Sequence, residues 1–168
     1  NKEPYFVSGR SLLDSTPSLS NLGFAIGKTI NNESFIFDMG KSGHLLIGGS
    51  TGSGKSIFIH FFIISCLLKF NPEDLKLILI DMKRVELSSY RALKNYHLIT
   101  GIDEDIITSD KSALHMFNSL VEETERRFQV FADAGVRNIS EYQEKQMEDQ
   151  SLEKIPFIIP IVDEFGDL

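Results

Sequence analysis

Residues 45–58, LLIGGSTGSGKSIF, constrain this chain more than any other stretch. An apolar run, Leu45, Leu46 and Ile47, enters a loop containing Gly48, Gly49, Gly52 and Gly54, then leaves through Lys55 and Ser56 into a second apolar run. The order predicts a buried strand, a phosphate loop and a helix. Gly49, Ser50, Thr51, Gly52, Ser53, Gly54, Lys55 and Ser56 match G-x-x-x-x-G-K-[ST] at each fixed position. Backbone N–H groups converge on anionic oxygens only where side chains do not intervene, which accounts for the glycines. The start of the following helix adds N–H donors and a partial positive charge. In that arrangement Lys55 reaches the β- and γ-phosphates of a nucleotide such as ATP, and the Ser56 hydroxyl holds Mg2+. A flexible Gly/Ser turn is the bland alternative, but it has no need of a lysine and a hydroxyl residue at those offsets.

At 168 residues and 42% hydrophobic, the chain is long enough for one domain with a true core. Its formal charge of −7 excludes the overall basic field of a stand-alone nucleic-acid binder. Contact with DNA would have to come from a local patch, from neighbouring subunits, or from further sequence. The single cysteine, Cys66, has no partner in the chain, which fits a buried thiol in a reducing, cytosolic setting. His44, His60, His97 and His115 lack metal-ligand spacing, so no zinc site is expected. The apolar run at residues 57–68 is too short to cross a bilayer and is interrupted by His60. Residues 1–10 are mixed and polar with no signal sequence, and a start at Asn1 suggests a piece of a longer chain.

Residues 1–21 read as an N-terminal arm or connector, rich in Ser and Pro. Residues 24–28 and 34–38 alternate around Asn31 and Asn32, the turn chemistry of a β-hairpin. After a break at residues 71–74, LKLILI at residues 75–80 reads as a strand buried on both faces of a parallel sheet. It ends at Asp81, either a carboxylate in the ligand crevice at the strand's C-terminal end or a cap for the next turn. A helix is predicted over about residues 110–134, with one apolar stripe of Leu114, Phe117, Leu120, Val121, Thr124, Phe128 and Phe131. Glu122 with Arg126 and Glu123 with Arg127 stand at i,i+4 on its other side. The arginine pair reads as a solvated face, or as a contact for DNA or a neighbouring subunit. Gly135 is the expected stop, Asn138 the cap of a second helix to about residue 147, and residues 148–154 a solvated segment. Residues 157–162 then form an apolar strand leading into Asp163 and Glu164. After a complete phosphate loop this reads as a Walker B strand, in which Asp163 orients Mg2+ through its water shell and Glu164 polarises the attacking water. Pro160 is anomalous there, since proline in a central strand removes a ladder donor. Alternating strands and helices give an α/β fold with a mainly parallel sheet.

Several stretches together resemble the motor domain of the FtsK/SpoIIIE family of DNA translocases. They are His44, Leu45, Leu46 and Ile47 leading into the phosphate loop, LILIDMKRVEL at residues 77–87 with Tyr90, Glu125 to Phe128 (ERRF), AGVRNI at residues 134–139 with Tyr142, and VDEFGDL at residues 162–168. The likeness runs from about residue 22 to the end. Met82, Tyr96 and Gly166 depart from the family's usual residues without touching the ATP chemistry. The resemblance implies a RecA-like P-loop NTPase domain whose Walker A role falls on residues 49–56 and whose Walker B roles fall on Asp163 and Glu164. It implies ATP and Mg2+ as ligands, duplex DNA as partner, and a homo-hexameric ring in which a neighbour's arginine completes each site. It further implies a cytoplasmic bacterial domain, with any membrane anchor lying outside this chain. In the family the arginine finger, sensor residues and DNA-recognition module follow Walker B. The motor domain over residues 22–168 is therefore expected to be incomplete at the C-terminus, with a gap in its sheet, and is not assured of activity alone. A related ring ATPase of protein secretion or conjugation is the alternative reading. A P-loop kinase or switch is the alternative from another class, and the acidic pair argues against it.

Overall fold

A computed structural model describes residues 6–14, 22–101 and 104–167. The chain divides into two compact units, Asn1–Lys69 and Phe70–Leu168.

The first unit is built around a hairpin and a helix. Strands β1 (Gly23–Lys28) and β2 (Ser34–Asp38) pair antiparallel, with a register shift between Ala25 and Gly27. The expected asparagine turn is present: Asn32 sits at φ 63°, and its N–H donates to the Thr29 carbonyl at 2.9 Å. A short helix α1 (Gly9–Asp14) buries Leu12, giving part of the expected arm regular structure, while residues 15–21 lie outside the described residues. A single turn, α2 (Met39–Ser42), ends at Gly43.

Helix α3 (Lys55–Lys69) buries Ile59, Phe62, Ile63 and Cys66, a spacing of three and four that turns one stripe inward. Phe62 packs on Phe24 of β1 with ring centroids 4.8 Å apart, and Lys69 Nζ donates to the Gly23 carbonyl at 2.8 Å. Burial pushes the Cys66 thiol up to about 12, so it is inert as the sequence suggests. The strand expected at residues 45–47 is not formed. Residues 43–50 have no regular structure, and Leu46 is 89% exposed. An apolar run becomes a strand only when another backbone takes its ladder hydrogen bonds, and among the described residues none pairs with it.

In the second unit β3 (Leu75–Ile80) is central, and Leu75, Leu77, Ile78, Leu79 and Ile80 are all buried. Strand β4 (Phe157–Val162) lies parallel on one side, in register from Leu75↔Phe157 to Ile80↔Val162. Single parallel bridges from Leu98 and Ile107 engage the other side through Leu77 and Ile80. The position of Pro160 follows from hydrogen-bond parity. The N–H groups of Phe157 and Asp163 donate toward β3, to Asp74 and Ile80. By the two-residue repeat the even-numbered positions of β4 face away, and proline removes a donor only from that side.

Helix α4 (Asp110–Ala134) is capped by Ser109, whose side chain accepts from the Ser112 N–H, and stops at Gly135 in the left-handed region. Its buried line overlaps the expected stripe in part: Phe131 is buried and Phe117 and Leu120 pack against the core, but Leu114, Val121, Thr124 and Phe128 are exposed. Ala113 and Met116 pack with Ile78, Ile80 and Ile107, and farther along Phe131 and Ala134 pack with Tyr142 and Ile155. Leu114, Val121 and Phe128 are 64%, 62% and 59% exposed. Two neighbouring lines on this helix carry apolar residues; the line with Ala113 and Met116 meets the sheet, and its far end, Phe131 and Ala134, meets α5 and Ile155. Helix α5 (Ile139–Glu148) begins at Asn138, whose side chain accepts from Glu141 N–H at 3.0 Å. Glu141 Oε2 in turn accepts from the Arg137 N–H, one residue ahead of the cap, at 2.9 Å.

Candidate nucleotide site

The phosphate loop belongs to the first unit. The Ser53 N–H donates to the Ser50 carbonyl, and the first bond of α3 runs from Phe58 N–H to Gly54 C=O. The start of that helix carries the positive end of the helix dipole. Gly52 and Gly54 sit at φ 80° and 97°, in the left-handed region that glycine adopts without steric cost. A Cβ on Gly49 would overlap Ser53 Oγ. The loop thus fits a polyphosphate: it brings a lysine to a helix start and turns tightly at Gly49, where a side chain would meet Ser53. Residues 49–53 are exposed, whereas Gly54, Lys55 and Ser56 are half-buried at the helix start.

The acidic residues at the strand ends belong to the second unit. Because Ile80 and Val162 are in register, β3 and β4 deliver Asp81 and Asp163 side by side at the C-terminal edge. Asp163 is 8% exposed, and its N–H donates to the Ile80 carbonyl at 3.1 Å. Glu164 follows, half-buried, with Oε2 3.9 Å from Lys83 Nζ. Asp81 is 1% exposed, and its Oδ2 accepts from the Leu87 N–H at 2.9 Å. Asp81 thus ties the loop back six residues on rather than capping the next turn, and its Oδ1 is buried with no hydrogen-bond partner among the described residues. The loop between them turns at Arg84, φ 60°, whose N–H donates to the Asp81 carbonyl at 3.2 Å.

Lys83 was not singled out by sequence. It lies within LILIDMKRVEL, but its nearness to Glu164 depends on β3 and β4 being neighbours, which no local spacing reveals. Arg126 and Arg127 are engaged elsewhere. Arg127 Nε donates to Glu123 at 2.7 Å and Nη1 to the Pro156 carbonyl at 2.9 Å. Arg126 bridges Glu123 and Glu153, rather than Glu122 as the i,i+4 spacing suggests. With two guanidiniums donating to it, Arg126 foremost, Glu123 has its carboxyl lowered to about 2.

An α/β unit with a parallel strand ending in Asp-Glu, together with a glycine loop opening a helix, defines a P-loop NTPase. The sequence profile of the FtsK/SpoIIIE family matches residues 16–168, and the chain belongs to that family. Among its relatives, the DNA translocase FtsK of Clostridium tetani is 40% identical over 171 residues, covering 100% of this chain and 22% of that protein. The DNA translocase SftA of Bacillus subtilis is 40% identical over 151 residues, covering 90% of this chain and 15% of that protein. The cytoplasmic domain of the Thermomonospora curvata type VII secretion ATPase EccC shares the fold. It aligns with a TM-score of 0.66 at 24% identity, over 97% of this chain and 20% of that one. The chain thus spans only 15–22% of these proteins' length.

Proposed function

We propose that this chain is the nucleotide-binding part of an ATP-driven motor that moves along double-stranded DNA in chromosome segregation or DNA transfer during division. The observation that carries the reading is the phosphate loop with its left-handed glycines in a chain of the FtsK/SpoIIIE family. The backbone N–H groups of Gly49, Ser50, Thr51, Gly52, Ser53, Gly54, Lys55 and Ser56 cradle the phosphates of ATP. Lys55 neutralises charge at the β- and γ-oxygens. Ser56 is the hydroxyl ligand for Mg2+, and Asp163 orients the metal's water shell. Bound Mg2+ supplies charge neutralisation on the phosphates. Glu164 polarises the attacking water and accepts its proton.

Residues 22–168 are the motor portion and residues 1–21 its leading arm. The motor acts as a homo-hexameric ring in the cytoplasm, in which an arginine from the neighbouring subunit completes each site. Among the described residues no helix is long and apolar enough to cross a membrane. The test is ATP turnover by the full-length protein with and without linear duplex DNA. Stimulation of several-fold supports the motor; a flat response favours export of a polypeptide.

A further inference from the structure

Lys83 sits on a loop with few ways to move. Asp81 holds that loop at both ends, its carbonyl accepting from Arg84 N–H and its Oδ2 from Leu87 N–H, while the Leu87 side chain is fully buried. The Ser88 hydroxyl adds a bond to the Arg84 carbonyl at 3.1 Å, and Arg84 holds the positive φ that reverses the chain. The loop leaves β3 level with the point where Asp163 and Glu164 leave β4, because Ile80 and Val162 are in register. The result is an ammonium 3.9 Å from Glu164 Oε2.

We propose that Lys83 is a positioning residue for Glu164, fixing the carboxylate in the orientation from which it polarises water. Both side chains are substantially exposed, at 56% and 43%, and ion pairs in such settings add little to stability. What the pair supplies is restriction. A glutamate has three side-chain torsions, and a general base works only within hydrogen-bond reach of its proton. An ammonium on a loop tied to the strand end narrows the carboxylate to one region. The inference rests on the water-polarising role proposed for Glu164.

The test uses the full-length protein with three readouts. Zero-length carbodiimide coupling followed by peptide mass spectrometry reads the geometry without turnover: a Lys83–Glu164 cross-link is expected, and its absence overturns the pairing. Lys83→Met is expected to lower kcat about tenfold, as small misplacements of a reacting group do, with ATP affinity unchanged and Lys83→Arg recovering most of the rate. In a Glu164→Gln background the same Met substitution is expected to change the residual rate less than about twofold, since the group it positions is gone. Equal losses in both backgrounds, a change in affinity instead of kcat, or no recovery by arginine would overturn the positioning role. Parental turnover by Glu164→Gln alone would overturn the base assignment and this inference with it, a signature distinct from the others because Lys83 is untouched.

Discussion

Glu123 shows how one carboxylate sets the pH behaviour of the α4 surface. It takes hydrogen bonds from Arg126 and Arg127, and they hold its acidity well below the ordinary 4.5, at about 2. A carboxyl depressed in the folded state contributes stability that is whole above about pH 4.5 and is lost as the pH falls toward 2. With solvent screening of the half-exposed Arg126, the contribution is about 1–2 kcal/mol. Denaturant unfolding at pH 6 and pH 3 is expected to show that loss in the parent and little of it in Glu123→Gln; equal losses would contradict the assignment. Local structure set by neighbours in sequence was legible from the chain alone: a glycine turn opening a helix at residues 49–56, and a strand ending in Asp163 and Glu164. Asp81 stayed divided between two roles because its role depends on where the loop returns, at Leu87. Lys83 went unnoticed because its partner is eighty-one positions away.

The hairpin, β3, both helix caps and β4 followed from local patterning, since turn chemistry and capping act over a few residues. Two elements did not. Residues 45–47 carry the composition of a strand, but a strand exists only through its pairing. On α4 the apolar residues cover two adjacent lines, and helical periodicity cannot say which faces the sheet. This gives an expected contrast. Met116→Ala, in contact with Ile78 and Ile80, is expected to cost about 2–5 kcal/mol, whereas Leu114→Ala is expected to cost under about 0.5 kcal/mol. Denaturant midpoints decide it, and the reverse order would restore the stripe read from sequence. At the helix end Gly135 holds φ 71°, so Gly135→Ala is expected to cost about 1–2 kcal/mol by the same measurement.

At the scale of the whole molecule, the glycine loop before α3 lies in the first compact unit, and the carboxylates after β3 and β4 lie in the second. Fold and family were both legible from the sequence, because the phosphate loop fixes the class, and the stretches around Glu86, Arg137 and Glu164 narrow it to one family. The account stands on ATP being held by the glycine loop and hydrolysed with the help of the carboxylates. Parallel measurement of ATP binding and ATP turnover in Lys55→Ala and Glu164→Gln forms of the full-length protein tests this most directly. The account predicts that the alanine variant loses binding and turnover together, while the glutamine variant binds ATP as the parent does and hydrolyses it at least about 10²-fold more slowly. Parental turnover in either variant would contradict it.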